Sequence, residues 1–335
     1  FLIFSYITSH FLIRQYLIGS TSFSMKKSER LSNDRWGDSN KSHLGGIAFS
    51  CCAIISFLMI ISQNTFVIGE ITEEYKSFIG LFFIVIISSI VGVLDEKENM
   101  KPLTKLFFQF IISGVIIWAG YVIPLTELFI ANVLFTLFWL ILFINALNMF
   151  DNVDGAAGIF SLSIFLLFLF MALSKGSNLD LIIIISVYVG SIAAFLYYNI
   201  YPSKLFMGDI GSLQLASILG AISIKVFWKD INQDLNIYDL FYNLLLNNLV
   251  FLVIFFDVLF VFALRISKGK NPFIGDTNHL SHAVIKIVKN PKMAIYLLSA
   301  FTAINIITFL IFSLVLSEYS IVFKLITILL FILTS

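Results

Sequence analysis

The stretch LFIANVLFTLFWLILFINALNMFDNVDG, residues 128–155, decides what kind of protein this is. Positions 128–145 carry no charged residue and no proline. A helix needs about 20 apolar residues to cross the hydrocarbon core of a bilayer, so this run reads as a membrane span. It then passes straight into Asn145, Asn148, Asp151 and Asp154, with Gly155 behind them. The first three are spaced i, i+3, i+6, as one helical face would place them. The span therefore delivers hydrogen-bonding and acidic groups to one membrane surface.

The rest of the chain repeats this plan. Of its 335 residues, 59% are hydrophobic and only 12% charged, against about 25% charged in soluble domains. With 37 Phe, this composition excludes an ordinary globule. A net charge of +1 gives nothing to hold nucleic acid. The adjacent Cys51 and Cys52 lie in an apolar run without zinc or redox spacing and read as packing residues. About eleven segments are apolar enough for spans, at 1–18, 44–62, 77–94, 103–120, 128–145, 156–174, 180–200, 211–228, 241–264, 294–316 and 321–334. The expected fold is one all-α, polytopic membrane domain over 1–335. The chain starts at Phe1 rather than Met and stops inside an apolar run at Ser335, so either end is expected to extend further. No small-residue cleavage site follows the first segment.

Charge sets the orientation. The odd-numbered loops (19–43, 95–102, 145–155, 201–210 and 265–293) hold most of the Lys and Arg, while the even-numbered ones hold only Lys76, Lys175 and Lys229. Cationic loops stay cytoplasmic, so the odd loops are expected inside and the amino terminus outside. The longest polar connection, 265–293, contains Gly269, Pro272 and Gly275, which disfavour a continuous helix.

All the acidic stretches fall on odd loops. Asp95-Glu96 ends the third segment, where the helix dipole is already negative. A divalent cation or one of Lys97, Lys101 and Lys105 would relieve that repulsion, and plain interfacial charge is the bland alternative. Asn145, Asn148, Asp151 and Asp154 suit a hard cation or the hydroxyls and base of a sugar nucleotide. Phe206-Met-Gly-Asp209-Ile-Gly-Ser212 opens the eighth segment, and Asp209 is either a helix cap or a metal ligand. His279 and His282 stand at i, i+3 in a Lys-rich loop, a pattern that favours diphosphate contact or proton handling over zinc. Asp257 lies inside the ninth segment, either as a functional group or as the ion-pair partner of Arg265.

Together these stretches resemble the polyprenyl-phosphate N-acetylhexosamine-1-phosphate transferases, the family of the MraY and WecA enzymes. The resemblance runs from His43-Leu-Gly-Gly46 to His282. Asp257 with Arg265, and Pro272-Phe273 followed by Asp276-Thr-Asn-His279, look like the WecA-like branch. The resemblance implies transfer of a sugar-1-phosphate, N-acetylglucosamine-1-phosphate first among candidates, from a UDP-N-acetylhexosamine to a polyprenyl phosphate such as undecaprenyl phosphate, releasing UMP. It implies Mg²⁺, with Mn²⁺ as a substitute, held by Asp209 and Asp95. Asp95, Glu96, Asp154, His279 and His282 would be the catalytic set. Lys105, Asn145, Asn148, Asp151, Phe206, Asp257 and Arg265 would bind substrate, with Phe206 stacking on uracil and Lys105 holding phosphate. It also implies a homodimer in a bacterial cytoplasmic membrane, with the prenyl tail along the ninth helix.

The sequence departs from the family pattern in places. Glu96 stands where the family has a second Asp. His-x-His-His becomes His279-Leu-Ser281-His282, and Ala156 replaces a Leu. The missing triple histidine argues against a muramyl-pentapeptide substrate. Direct attack by the lipid phosphate, with Asp95 as base or metal organiser, and a covalent phospho-aspartate route are both open. A transporter coupled through Asp257 and an inactive lipid-binding homologue are the alternatives from other classes.

Overall fold

The computed structural model describes residues 1–19, 43, 45–63, 72–228, 237–269 and 279–315. Among them every regular element is a helix: α1 (Leu2–Gly19), α2 (Gly46–Gln63), α3 (Glu73–Glu98), α4 (Pro102–Trp118), α5 (Phe129–Phe150), α6 (Ala156–Ser174), α7 (Leu179–Asn199), α8 (Gly208–Phe227), α9 (Ile237–Leu249), α10 (Leu252–Ser267), α11 (Leu280–Val288) and α12 (Pro291–Leu310), the last running into a π turn. By length and composition, six helices can cross a membrane, and the bent pair α9–α10 makes a seventh if counted as one span. The chain is a polytopic all-α membrane protein.

That is fewer spans than the sequence suggested. α2 and α4 are apolar but short. α1 is interrupted by His10, Arg14 and Gln15. Segment 321–334 lies outside the described residues. The segment at 241–264 is a genuine correction. It is not one helix but two, bent by 88° between Leu249 and Leu252. No proline causes the break. Asn247 and Asn248, both weak helix formers, are tied sideways instead. Asn247 donates to the Phe227 carbonyl at 3.1 Å, and Asn248 accepts from the Trp139 indole N–H at 2.9 Å. Two loops are also shorter than expected. α5 continues through Asn145 and Asn148 to Phe150, and the connection 265–293 contains the amphipathic helix α11.

Helix ends follow local chemistry. Thr72 caps α3 by accepting from the Tyr75 N–H, and Glu73 and Glu74 complement the dipole there. Asn99, left-handed at φ 48°, stops the same helix. Pro102 opens α4, and Asn290-Pro291 opens α12. Gly155, at φ 80°, lets the chain turn from α5 into α6.

α8 is the axis of the bundle and is buried along nearly its whole length. It packs against α2, α3, α4, α5 and α6. Its polar side chains are answered inside the protein, as a low-dielectric interior demands. Gln214 accepts from Ser50 at 2.6 Å and donates to the Tyr188 hydroxyl at 2.8 Å. Ser217 and Ser223 bond to carbonyls of their own helix. Close approach needs small residues. A Cβ on Gly46 would lie 2.1 Å from the Gly211 nitrogen, and one on Gly92 would lie 2.4 Å from the Ile210 Cα. These glycines let α2 and α3 touch α8 backbone to backbone, just behind Asp209.

Candidate active site

α3 and α5 end, and α4 and α8 begin, at one end of the bundle. Their terminal polar residues meet there. Asp95, in the last turn of α3, pairs with Lys105 of α4 at 2.5 Å, and its other oxygen accepts from the Met100 N–H at 3.1 Å. Of the three lysines the sequence offered, Lys105 is the one that neutralises Asp95. Asp209 is close enough to Asp95 for the two carboxylates to repel, and Lys105 sits in the field of Asp95, Glu96 and Asp209 together. Three carboxylates around one ammonium leave an excess of negative charge beside the positive N-terminus of α8.

Asp209 is the second residue of α8, and Met207 occupies the cap position. Asp209 is therefore not a simple helix cap. Its Oδ1 accepts from the Asn148 amide at 3.2 Å. The same amide donates to Ser212 Oγ at 2.8 Å, and Ser212 donates to the Gly208 carbonyl. Asn148 thus bridges the end of α5 to the start of α8. Asn145, one turn earlier, faces elsewhere. It exchanges a reciprocal pair of amide hydrogen bonds with Gln109 of α4, at 2.8 and 3.1 Å, and also donates to the Ile141 carbonyl. This is helix-to-helix glue, and it separates Asn145 from the group around Asp209.

The next turn is built by Asp154 and Asn199. Asp154 accepts from the Ser203 N–H at 3.1 Å. Asn199 accepts from the Gly155 N–H and donates to the Leu205 carbonyl. These bonds tie the 151–155 turn to the 200–207 loop, so Asp154 is a buried tether. Asp151 is the C-terminal cap position of α5 and is buried beside it. Phe206, which the resemblance assigns to stacking on uracil, is buried with its ring 5.0 Å from the His43 ring. Backbone bonds from Gly45 to Phe206 and from Gly46 to Met207 fix the two turns together.

A second centre lies on α10 and α11. Asp257 is fully buried and accepts from the Leu280 N–H at 2.6 Å. His279 Nδ1 is 2.9 Å from its other oxygen. A carboxylate only accepts, so Nδ1 carries the proton and Nε2 is left for other work. Asp257 thus serves His279 across two helices. The His282 ring stands edge-on to His279, with centroids 6.1 Å apart. Arg265 is buried two turns along α10. Pro272, Phe273 and Asp276 lie outside the described residues. α5 packs against both α8 and α10 and so links the two centres.

His43, Gln109, Asn199 and Ser212 were not singled out as site residues. His43 and Ser212 stood inside quoted motifs. Gln109 and Asn199 carried a weaker signal: each is a lone amide in an apolar segment, Gln109 mid-segment and Asn199 at its end, where a polar group must face the bundle interior.

Residues 78–227 match the family model described as "Glycosyl transferase family 4". The match covers less than half of the chain and is a similarity to this family. The matched residues contain Asp95, Lys105, Asn148, Asp154 and Asp209, whereas Asp257 and His279 lie beyond them. Its relatives include the phospho-N-acetylmuramoyl-pentapeptide-transferase of Streptococcus thermophilus strain CNRZ 1066, 34% identical over 206 residues, 55% of this chain and 59% of the relative. The same-named protein of Streptococcus sanguinis strain SK36 is 34% identical over 191 residues, 51% of this chain and 58% of the relative. That of Streptococcus equi subsp. equi strain 4047 is 28% identical over 222 residues, 59% and 65% respectively. The matched stretch thus spans less than two thirds of the length of these relatives. The family is shared by both branches that the motifs resemble, and these matches do not separate them.

Proposed function

We propose that the protein transfers N-acetylhexosamine-1-phosphate from a UDP-sugar to a polyprenyl phosphate in a bacterial cytoplasmic membrane, with the site on the cytoplasmic face. One observation carries the reading: Asp95, Lys105, Asn148 and Asp209, from four different helices, converge at one end of a membrane bundle. A soluble anionic donor and a lipid-anchored anionic acceptor can meet only at such a surface. Both reactants repel each other, so charge neutralisation and alignment dominate the barrier.

The donor set suits Mg²⁺ or Mn²⁺. Among the described residues no three His, Cys, Asp or Glu side chains are placed to enclose a metal alone. Mg²⁺ is commonly held by one or two carboxylates with substrate phosphates completing its shell. Asp209 and Asp95 would hold it, and when bound it supplies neutralisation of the diphosphate charge. The Asn148 amide fixes the Asp209 rotamer. Lys105 lies where it can exchange its Asp95 contact for a phosphate oxygen, freeing the Asp95 carboxylate to accept a proton from, or orient, the lipid phosphate. An oxygen of the lipid phosphate then attacks the β-phosphorus, the bond to the UMP oxygen breaks, and a lipid diphosphate sugar forms. His279, its Nδ1–H held by Asp257, presents an unprotonated Nε2 for proton handling.

A second reading keeps the chemistry and changes the donor. The relatives' name points to a muramoyl-pentapeptide nucleotide, and Ser281 within His279–His282 points away from it. A transporter of two related halves would pair its broken helices. Among the described residues one bent pair occurs.

The test is UMP release by purified protein in detergent with undecaprenyl phosphate. The donor panel is UDP-N-acetylglucosamine, other UDP-amino sugars and UDP-N-acetylmuramoyl-pentapeptide, with and without Mg²⁺. Release that needs lipid and metal, and that Asp209→Asn abolishes, supports the reading, and the preferred donor names the sugar. No release with any donor overturns it.

A further inference from the structure

α8 begins without a side-chain cap of its own, because Met207 fills the cap position and makes no such bond. The first N–H groups of a helix need partners, above all in a buried bundle. Glu96, from the last turn of α3, supplies one: its Oε1 accepts from the Asp209 N–H at 2.8 Å. The fit is tight around that oxygen. Gly208 takes φ 73°, and a Cβ there would lie 2.7 Å from Glu96 Oε1 and 2.0 Å from the His43 carbonyl oxygen. His43 Nδ1 stands 3.9 Å from the same Oε1. The separation of α3 and α8 is fixed by the Gly92–Ile210 contact, so the helices cannot slide closer. Aspartate at 96 would lack one C–C bond of about 1.5 Å. The acceptor would then fall outside ordinary hydrogen-bond range.

We infer that Glu96 is a positioning residue: it caps α8 from a neighbouring helix and fixes the backbone of Asp209, so that the Asp209 carboxylate projects into the site from a rigid first turn. The extra methylene that separates Glu96 from the family's aspartate is what makes the cap reach. The inference rests on the reading of Asp209 as the metal-binding carboxylate, but the cap itself does not.

The two roles open to Glu96 make opposite demands. A cap needs reach and an acceptor oxygen, which Glu96→Gln keeps and Glu96→Asp loses. A metal ligand or base needs the negative charge, which Glu96→Asp keeps and Glu96→Gln loses. The first readout is hydrogen–deuterium exchange of peptides spanning residues 206–212 in the purified full chain. Loss of a cap of ordinary strength speeds exchange of the Asp209 amide about fivefold. That is expected for Glu96→Asp, with Glu96→Gln close to wild type. The second readout is UMP release with its KM for Mg²⁺. Glu96→Gln is expected to retain more activity than Glu96→Asp, and Glu96→Asp is expected to raise the KM for Mg²⁺. Equal exchange in all three proteins overturns the cap. Glu96→Asp more active than Glu96→Gln overturns the positioning role and returns Glu96 to the metal or the proton. If the wild type releases no UMP, the proposed function fails while the exchange order still decides the cap.

Discussion

Lys105→Met isolates the electrostatics of the cluster. Lys105 is the ammonium paired to Asp95 at 2.5 Å, with Asp95's side chain 9% exposed and Lys105's 37%. Removing one partner of a fully buried pair costs about 3–5 kcal/mol, because the other charge is stranded. An exposed pair is worth only about 0–1 kcal/mol. Lys105 is partly open to solvent, so the loss should fall between these limits, at roughly 1–3 kcal/mol. The stranded charge is worse than a lone carboxylate, since Asp209 already repels Asp95. Asp95→Asn alone strands a partly solvated lysine and should cost less. The double variant should then recover part of what Lys105→Met loses. The assay is thermal unfolding in detergent across the four-protein cycle. Added Mg²⁺ is a further arm: it should raise the midpoint of Lys105→Met more than that of wild type, since the site then lacks its resident cation. A Lys105→Met protein as stable as wild type, or a double variant that shows the simple sum of the singles, would refute the argument.

Three further outcomes follow from the geometry. Gly92→Ala forces a methyl against the Ile210 backbone and should lower stability by about 1–3 kcal/mol, with activity falling alongside it, as read by unfolding midpoint and UMP release. Gln109→Leu together with Asn145→Leu replaces a reciprocal amide pair by apolar packing, and should leave the KM for the UDP-sugar unchanged. A raised KM would return Asn145 to substrate binding. Asp257→Asn leaves one acceptor oxygen where the Leu280 N–H and His279 Nδ1–H use two, and should lower kcat about 10–100-fold with little change in KM. An unchanged kcat would make the Asp257–His279 pair purely structural.

The sequence revealed what repeats and hid what crosses. The spans at 77–94, 156–174 and 180–200 were visible because an apolar run of membrane length has few other uses. Asp95, Asn148, Asp154 and Asp209 were visible because polar residues at span ends cluster in short motifs. The 88° bend in the ninth segment was not, since the tethers that hold it reach Phe227 and Trp139, far away in the chain. Nor was the division between Asn145 and Asn148. Both sit on one helical face three residues apart, yet one is taken by Gln109 and the other by Asp209. Helical periodicity assigns a face, and the neighbouring helix decides what that face does.

The antiparallel pairing of α3 and α8 explains how the cluster can exist at all. The C-terminal end of α3 is a poor place for Asp95 and Glu96, because the helix dipole is negative there. The N-terminal end of α8 is a good place for anions, for the converse reason. Gly92 on Ile210 brings the two ends together without intervening side chains, and Gly46 on Gly211 seats α2 beside them. Glu96 then reaches the α8 N–H group, Lys105 answers Asp95, and Asp209 keeps a carboxylate oxygen held by the Asn148 amide. The surplus of negative charge is thus placed at the positive end of the most deeply buried helix. There it is tolerable in the absence of a cation and strongly attractive to one. Widening the α3–α8 crossing should therefore weaken divalent-ion binding before it unfolds the bundle. A Gly92→Ala protein that melts early but binds Mn²⁺ as tightly as wild type would show that the helix ends, despite their proximity, contribute nothing to the site.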